Sequence, residues 1–411
     1  IGTDWMQPRF FMEMAQNLER ACFDYILLED SSYVGESFGG SRDIYLKNGL
    51  SVPRQDPAVV AGLLLNATKK IGIVPTLSTF AYPPYLLARL VATLDQISGG
   101  RCGWNMVTGS SDFAAQNLGL EKLPEHDERY EMADEYMHVV EALWNSWEPG
   151  AFLADRDSGV LIDPEKVHAV NFKGKYYSTR GPLNSGPPVQ KRPVIAQAGG
   201  SARGKQFASK HADTIVASVK GVAAMKAYRD DVRARAVAQG RDPDEIKVLF
   251  LVFPIIGETD EDAQRRKQRR AEIAERNIEQ RLAHFGKTMT IDFGKLDLDK
   301  PIPDDLTTNG HQQNLAEFRR IAAGRTIRET MRSWNATAGS VELVGSPDTI
   351  AAQMEAAMEE AGGDGFLFSM PDVQRRTIAE VCDGLVPALQ KRGLMRTGYE
   401  HATFVENLRA F

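Results

Sequence analysis

The stretch V-I-A-Q-A-G-G-S-A-R-G-K-Q-F-A, residues 194–208, sets Gly199, Gly200 and Ser201 between an apolar run and a helical pattern. Paired glycines let backbone N–H groups approach an anion, and a helix N-terminus adds a favourable dipole. Ser201 and Arg203 add side-chain donors, so the stretch reads as a phosphate cradle. The competing reading is a left-handed turn that needs glycine for its geometry alone. A P-loop is nearly matched at Gly199, Gly204 and Lys205, but Gln206 stands where Ser or Thr would hold magnesium. The spacing is not G-x-G-x-x-G either, so neither nucleotide hydrolysis nor a dinucleotide fold is expected.

Other residues point to the same kind of ligand. His126 and Tyr130 lie four apart at the start of a helical pattern and share a face. They suit the clamping of an anionic cofactor tail; plain surface polarity is the other explanation. No H-E-x-x-H pattern accompanies His126, and no metal is expected. Asn105 sits inside an apolar run, residues 102–107, that ends in Thr108-Gly109-Ser110-Ser111. A buried amide must find partners: a ring edge, or a neighbouring structural group. Trp104, on the opposite face by strand alternation, reads as core. Phe80, Tyr82 and Tyr85 flank Pro83-Pro84 and form either an aromatic wall or ordinary packing. His284, in L-A-H-F-G, opens a long insertion. Arg42, Lys47 and Arg54 offer carboxylate recognition or a solvated loop.

These residues need a scaffold, and the apolar runs supply one. Strands are predicted at 24–28, 71–78, 101–107, 194–197, 214–217, 248–256 and 365–369. Helices are predicted at 9–21, 57–69, 128–147, 203–210, 222–238, 260–283, 348–361 and 372–391. Strands alternating with helices, several of them continuously apolar, indicate a parallel α/β architecture. The expected fold is a (β/α)8 TIM barrel with insertions. Such a barrel needs eight strands; seven are readable, and the first is expected upstream of Ile1. An open doubly wound sheet is the rival. In a barrel the strand ends converge on one face, which gathers Asp30, Ser78, Thr79, Thr108–Ser110, Gly199–Ser201 and Ser369 around a polar-rimmed pocket. One domain spans residues 1–411, with a hairpin insertion at about 148–192 and a second insertion at about 285–345, whose length suits a lid.

Composition narrows the function classes. The chain has 411 residues, 43% hydrophobic and 25% charged, the balance of a globular protein. A net charge of −6 argues against nucleic-acid binding. The basic run 265–270 is punctuated by Glu272 and Glu275 and reads as a solvated helix face. Cys22, Cys102 and Cys382 build no disulfide framework, which fits a reducing, cytoplasmic compartment. No run of about 18 apolar residues is present, so no membrane span is expected.

The segments Y-L-L-A-R-L-V-A-T-L-D-Q-I-S-G-G-R-C-G-W-N-M-V-T-G, E-H-D-E-R-Y-E-M-A-D-E-Y-M-H-V-V-E-A-L-W-N-S-W, G-P-L-N-S-G-P-P-V-Q-K-R-P-V-I-A-Q-A-G-G-S-A-R-G-K-Q-F-A and V-P-A-L-Q-K-R-G-L-M-R-T-G-Y-E resemble the bacterial luciferase-like flavin monooxygenases. The subgroup is that of the nitrilotriacetate, dibenzothiophene-sulfone and long-chain alkane enzymes, and the likeness runs from about Arg9 to Glu400. It implies reduced FMN and O2 as cofactors, a separate NAD(P)H:flavin reductase that delivers FMNH2, and a flavin C4a-peroxide that transfers one oxygen to a small organic substrate. A homodimer or homotetramer is also implied. Carried onto this chain, the flavin-binding positions are Asp30, Ser78, Thr79, Asn105, His126, Tyr130 and Ser201. His284 and Asn105 take catalytic roles. Gly109 replaces the family's serine at the end of the W-N-V-V-T-S motif. An F420-dependent oxidoreductase on the same barrel, and a flavin-binding protein without turnover, are the alternatives.

Overall fold

The computed structural model describes residues 6–308, 310, 312–333, 339–370 and 373–410. Its centre is a sheet of seven parallel strands: β1 (Tyr25–Leu28), β2 (Gly72–Ser78), β3 (Gly103–Val107), β4 (Val194–Gln197), β5 (Thr214–Ala217), β6 (Lys247–Val252) and β7 (Gly365–Phe368). Their order in the sheet is their order in the chain, as a barrel requires and a doubly wound sheet does not. The predicted run 248–256 divides. Pro254 has no N–H to give the ladder, and Ile255–Ile256 pairs with Val344–Gly345 in a separate two-stranded sheet. The edges of β1 and β7 do not pair among the described residues. Between them opens an apolar cavity of about 780 Å³, lined among others by Leu18, Leu28, Leu249 and Phe368.

Strand alternation sorts the side chains. Trp104, Met106, Ile73 and Ile195 are buried in the large apolar core with the helices outside. Tyr25, Val74, Val194, Ala196 and Leu249 fill the interior together with Phe404 and Leu408. The helix Phe404–Arg409, which no periodicity signalled, plugs the amino-terminal end of the sheet. A Cβ on Gly72 would stand 2.7 Å from the Phe404 ring and one on Gly103 3.2 Å, so both strands open with the smallest residue to admit the plug.

Among the helices are α1 (Pro8–Arg20), α2 (Pro57–Ala67), α3 (Pro84–Ser98), α4 (His126–Trp144), α5 (Ala202–His211), α6 (Val222–Ala238), α7 (Asp260–Arg276), α8 (Ile278–Met289) and α9 (Pro347–Ala361). Asp56 caps α2 by accepting from the Ala58 and Val59 amides, with Pro57 at the first helical position. α3 has no distinct apolar stripe because Leu86 and Ile97 are exposed on the side away from Leu87, Val91 and Leu94. The predicted helix 260–283 is two helices that meet at Asn277. α7 buries only Ala263, whereas α8 turns inward and buries Leu282, Ala283 and Met289. Of the predicted helix 372–391, Asp372 lies outside the described residues; Arg375–Lys391 is helical, with a π-helical stretch at Glu380–Leu385. No described helix is long and apolar enough to cross a membrane.

Both insertions have structure. In the first, Phe172–Lys173 pairs antiparallel with Ser178–Thr179, the expected hairpin. The second begins earlier than the sequence suggests, since Leu282 of α8 already packs with Phe293, Leu315, Phe318 and Met331 in a separate apolar core. This unit rests on the loop after β1: the Tyr45 hydroxyl donates to Ala283 O at 3.1 Å, and the Gly39 amide to Asp292 Oδ1 at 2.7 Å.

Cys22, Cys102 and Cys382 are buried and free. Burial pushes all three thiols up, Cys382 to about 11. Since the thiolate is the reactive form, the folded protein is expected to leave all three untouched by a thiol reagent such as DTNB, and the unfolded protein to release one equivalent from each. Rapid reaction of the folded chain would contradict this burial.

Candidate active site

Asn105 lies on β3 directly opposite Thr76 of β2. That register brings the Asn105 Nδ2 within 2.8 Å of Thr76 Oγ1, to which it donates. Its Oδ1 is buried without a hydrogen-bond partner, and so is Ser78 Oγ, two residues on from Thr76. By alternation both point to the barrel interior, the side of Val74 rather than of Trp104. An unsatisfied buried polar atom costs about 1–3 kcal/mol, and a ligand donor entering from the strand ends would remove that cost. Trp104 is core, with no exposure and its indole N–H on Leu77 O at 2.8 Å. Thr79 is committed to the end of β3: its amide donates to Val107 O at 3.0 Å and its hydroxyl at 3.5 Å.

A second group forms where β4 passes into α5. Ser201 caps α5, its Oγ accepting from the Gly204 amide at 2.9 Å, and it lies 3.4 Å from His126 Nε2 at the start of α4. His126 Nδ1 is held by Asp127 Oδ1 at 2.7 Å. Tyr130, one turn further along α4, is buried beside Gln197 and Ser201. Gly199 and Gly200 do not adopt positive φ, so the turn explanation for these glycines fails. The reason at Gly199 is space: a Cβ there would stand 2.6 Å from Gln197 Oε1. At Gly204 it would stand 2.8 Å from the Tyr130 hydroxyl and 3.0 Å from Ser201 Oγ. The amino end of α5 and the hydroxyls of Ser201 and Tyr130 thus lie together, a set of groups suited to an anion.

Arg203, an expected donor, and Lys205 are engaged elsewhere. Arg203 reaches back to Asp134 Oδ2 at 2.6 Å, with its guanidinium 5.6 Å from the Tyr130 ring centre. Lys205 pairs with Asp231 of α6. Arg203 therefore lies between Asp134 and the Tyr130 ring. Sequence reasoning missed Gln197 and Tyr228. Gln197 is buried with Oε1 unpartnered; a polar residue ending an otherwise apolar strand was the available signal, the same one that marked Asn105. The Tyr228 hydroxyl, from α6, donates to Gly199 O, and nothing local in the sequence announces it.

Asp134 ties α4 to α5 through Arg203, Lys210 at 3.2 Å and His211 at 2.7 Å. Burial opposes its charge, but the hydrogen bonds from His211 and Arg203 outweigh that and hold the carboxyl well below its usual range. A depressed folded-state value stabilises the fold above the unfolded value of about 3.9 and is lost as pH falls through the folded one. Asp134→Asn is expected to lower stability at pH 7 by roughly 1–2 kcal/mol and to flatten the acid limb, measured as urea midpoints from pH 3 to 7. An unchanged acid limb would contradict this.

A third group surrounds the mouth. Asp30, after β1, is half-buried, and burial pushes its carboxyl up. His284 of α8 has Glu29, Lys287 and Arg54 as charged neighbours, and desolvation lowers its pKa. Gly109 has φ +80°, and a Cβ there would meet the Phe80 ring at 2.4 Å, so glycine replaces serine at this position for both conformation and space. The second insertion reaches this rim: the position of a Gly310 Cβ is 3.1 Å from Ser110 O and 2.9 Å from Thr288 O. Asn105, Ser78 and Thr79 thus cluster at the ends of β2 and β3. His126, Tyr130, Gly199 and Ser201 cluster at α5, with Gly200 in the same loop. Asp30 and His284 share Glu29 and Arg54 as charged neighbours, and no hydrogen bond joins these two to the α5 group among the described residues.

The sequence profile of the luciferase-like monooxygenases matches residues 2–365. Dibenzothiophene-sulfone monooxygenase of Rhodococcus erythropolis is 34% identical over 414 residues, covering 99% of this chain and 91% of that protein. Long-chain alkane monooxygenase of Geobacillus thermodenitrificans is 35% identical over 403 residues, covering 97% of this chain and 86% of its own length. Among solved structures, a riboflavin lyase with modified FMN and riboflavin is similar with a TM-score of 0.90 at 33% identity, covering 98% of this chain and 89% of that one. The expected barrel and the resemblance drawn from the motifs are both borne out. The chain belongs to the luciferase-like monooxygenase family.

Proposed function

We propose that this chain is the oxygenating component of a two-component system, holding reduced FMN at the carboxyl ends of β2, β3 and β4. The orphaned acceptor Asn105 Oδ1, buried at the top of the barrel interior, carries this reading, because the protonated edge of a reduced isoalloxazine supplies the donor it lacks. The phosphate end fits the Gly199-Gly200-Ser201 loop, with the Tyr130 hydroxyl and His126 Nε2 as further partners. Ser78 and Thr79 lie on the ring side with Asn105, and Asp30 lies across the mouth. When bound, reduced FMN supplies the electrons that let O2 deliver one oxygen atom to the substrate and the other to water.

The protein's own part is to orient and to exclude water. His284, kept neutral near pH 7 by desolvation, can accept a proton at its imidazole nitrogen. The second insertion, docked on the loop after β1 and on Ser110, serves as cover. We further propose a separate NAD(P)H:flavin reductase as partner, a cytoplasmic site of action and a homodimer or homotetramer. Exposed Phe152, Leu153 and Leu161, on the Phe152–Ile162 ribbon, support self-association.

Loading the protein with reduced FMN and adding ¹⁸O2 with a panel of organosulfur compounds, alkanes and amino carboxylates tests the reaction class. One ¹⁸O atom per product molecule is expected. Substrate turnover without oxygen, by hydride transfer from reduced F420, would replace this reading with the deazaflavin one.

A further inference from the structure

α8 carries a cation that the proposed chemistry does not use. Lys287, one turn beyond His284, is only 5% exposed. Its ammonium lies 3.1 Å from Ser31 Oγ and 4.7 Å from the centre of the Tyr33 ring. It has no carboxylate partner among the described residues. The two nearest acids do not supply one: Glu29 is turned to solvent and lies 3.7 Å from Arg54, and burial works against charge on Asp30. A buried cation held only by a hydroxyl and a ring face is costly unless an anion joins it. The Tyr33 hydroxyl donates to the backbone oxygen of Lys287 at 3.2 Å and its ring stacks on Phe113, so the ammonium is held in place beside an aromatic surface. Arg54, only 22% exposed at its side chain, contributes a second positive charge to the same neighbourhood.

We propose that Lys287 forms an anion subsite at the mouth of the flavin pocket, pairing with a carboxylate, sulfinate or sulfonate group of the substrate. This rests on the monooxygenase reading and adds the substrate class: a small organic molecule with an oxyanion at one end, its apolar part against Tyr33 and Phe113.

Calorimetric titration of the protein, with and without anaerobic FMNH2, uses hexanoate, hexanesulfonate and hexan-1-ol as probes. Both anions are expected to bind about tenfold or more tightly than the alcohol. Lys287→Met should remove that preference, and Lys287→Arg should keep most of it. Burial, with Arg54 nearby, lowers the Lys287 ammonium to about 8, so anion affinity should fall as pH rises through that region. Glu29, Asp30, Tyr33, Arg54 and His284 are the other titratable groups facing it, and Lys287→Met separates its titration from theirs. If that variant is unstable in a thermal melt, the wild-type pH profile and Lys287→Arg carry the test. No binding of either anion to the wild type, equal binding of the alcohol, or unaltered anion binding by Lys287→Met overturns the proposal. Lys287-dependent anion binding without any affinity for FMNH2 would uphold the subsite and overturn the flavin reading instead.

Discussion

Replacing Gly204 with valine is expected to weaken binding of reduced FMN by two orders of magnitude or more while leaving the barrel folded. The position of its Cβ is 2.8 Å from the Tyr130 hydroxyl and 3.0 Å from Ser201 Oγ, so two groups at the proposed phosphate site must move together. Hydrogen bonds to a charged group contribute about 1.5–3 kcal/mol each. Losing two therefore costs about 3–6 kcal/mol, at 1.4 kcal/mol per tenfold in affinity. The helix itself loses little, because valine is a better helix former than glycine. Tyr130→Phe removes one of the two hydroxyls and keeps the packing against Phe207, so a smaller loss, about tenfold, is expected. Anaerobic titration measures both, with a thermal melt as control for folding. Wild-type affinity in Gly204→Val would place the phosphate elsewhere.

The largest stability effect is expected far from this site. Arg101, at the foot of β3, is 4% exposed and pairs with no carboxylate among the described residues. It donates instead to Leu65 O, Thr68 O, Ile71 O, Ser98 O and Thr68 Oγ1. These acceptors lie at the end of α2, the start of β2 and the end of α3, so one guanidinium ties three chain ends together. Burial lowers its pKa, but an arginine stays charged at that depth. Arg101→Met leaves several buried carbonyls unsatisfied and is expected to cost about 3–5 kcal/mol, read as a fall in urea midpoint. Arg101→Lys should recover little, since an ammonium cannot span the same fork of acceptors. A midpoint within experimental error of wild type would contradict this account of the barrel floor.

The sequence revealed the seven strands because several are nearly continuously apolar and most are bounded by Gly, Pro or Asp. Val194–Gln197 and Thr214–Ala217 were placed to the residue. It revealed α2 through Asp56 and Pro57, a cap and a first-turn proline whose roles are local. α3 and the plug helix Phe404–Arg409 were harder to see. One has apolar residues on an exposed side, and the other owes its helix to burial in the barrel floor rather than to its own periodicity. Asn105 was legible as an amide in an apolar strand, and the pair His126 and Tyr130 as one helix face. Gly199 was legible as part of a glycine pair ahead of a helix; its ordinary backbone removes the competing turn reading, and the absence of room beside Gln197 is a tertiary fact that no local pattern shows. Lys287 gave no local sign at all, because its isolation from carboxylates exists only once α8 lies across the loop after β1.

The central claim is that the polar ends of β2, β3 and β4 bind reduced FMN, and anaerobic titration of the protein with FMNH2 tests it directly, run beside reduced F420 and beside Asn105→Leu. Saturable binding of one FMNH2 per chain, little affinity for F420, and at least a tenfold loss in Asn105→Leu are predicted. Binding of F420 in preference to FMNH2, or an Asn105→Leu variant that binds FMNH2 as the wild type does, would contradict it.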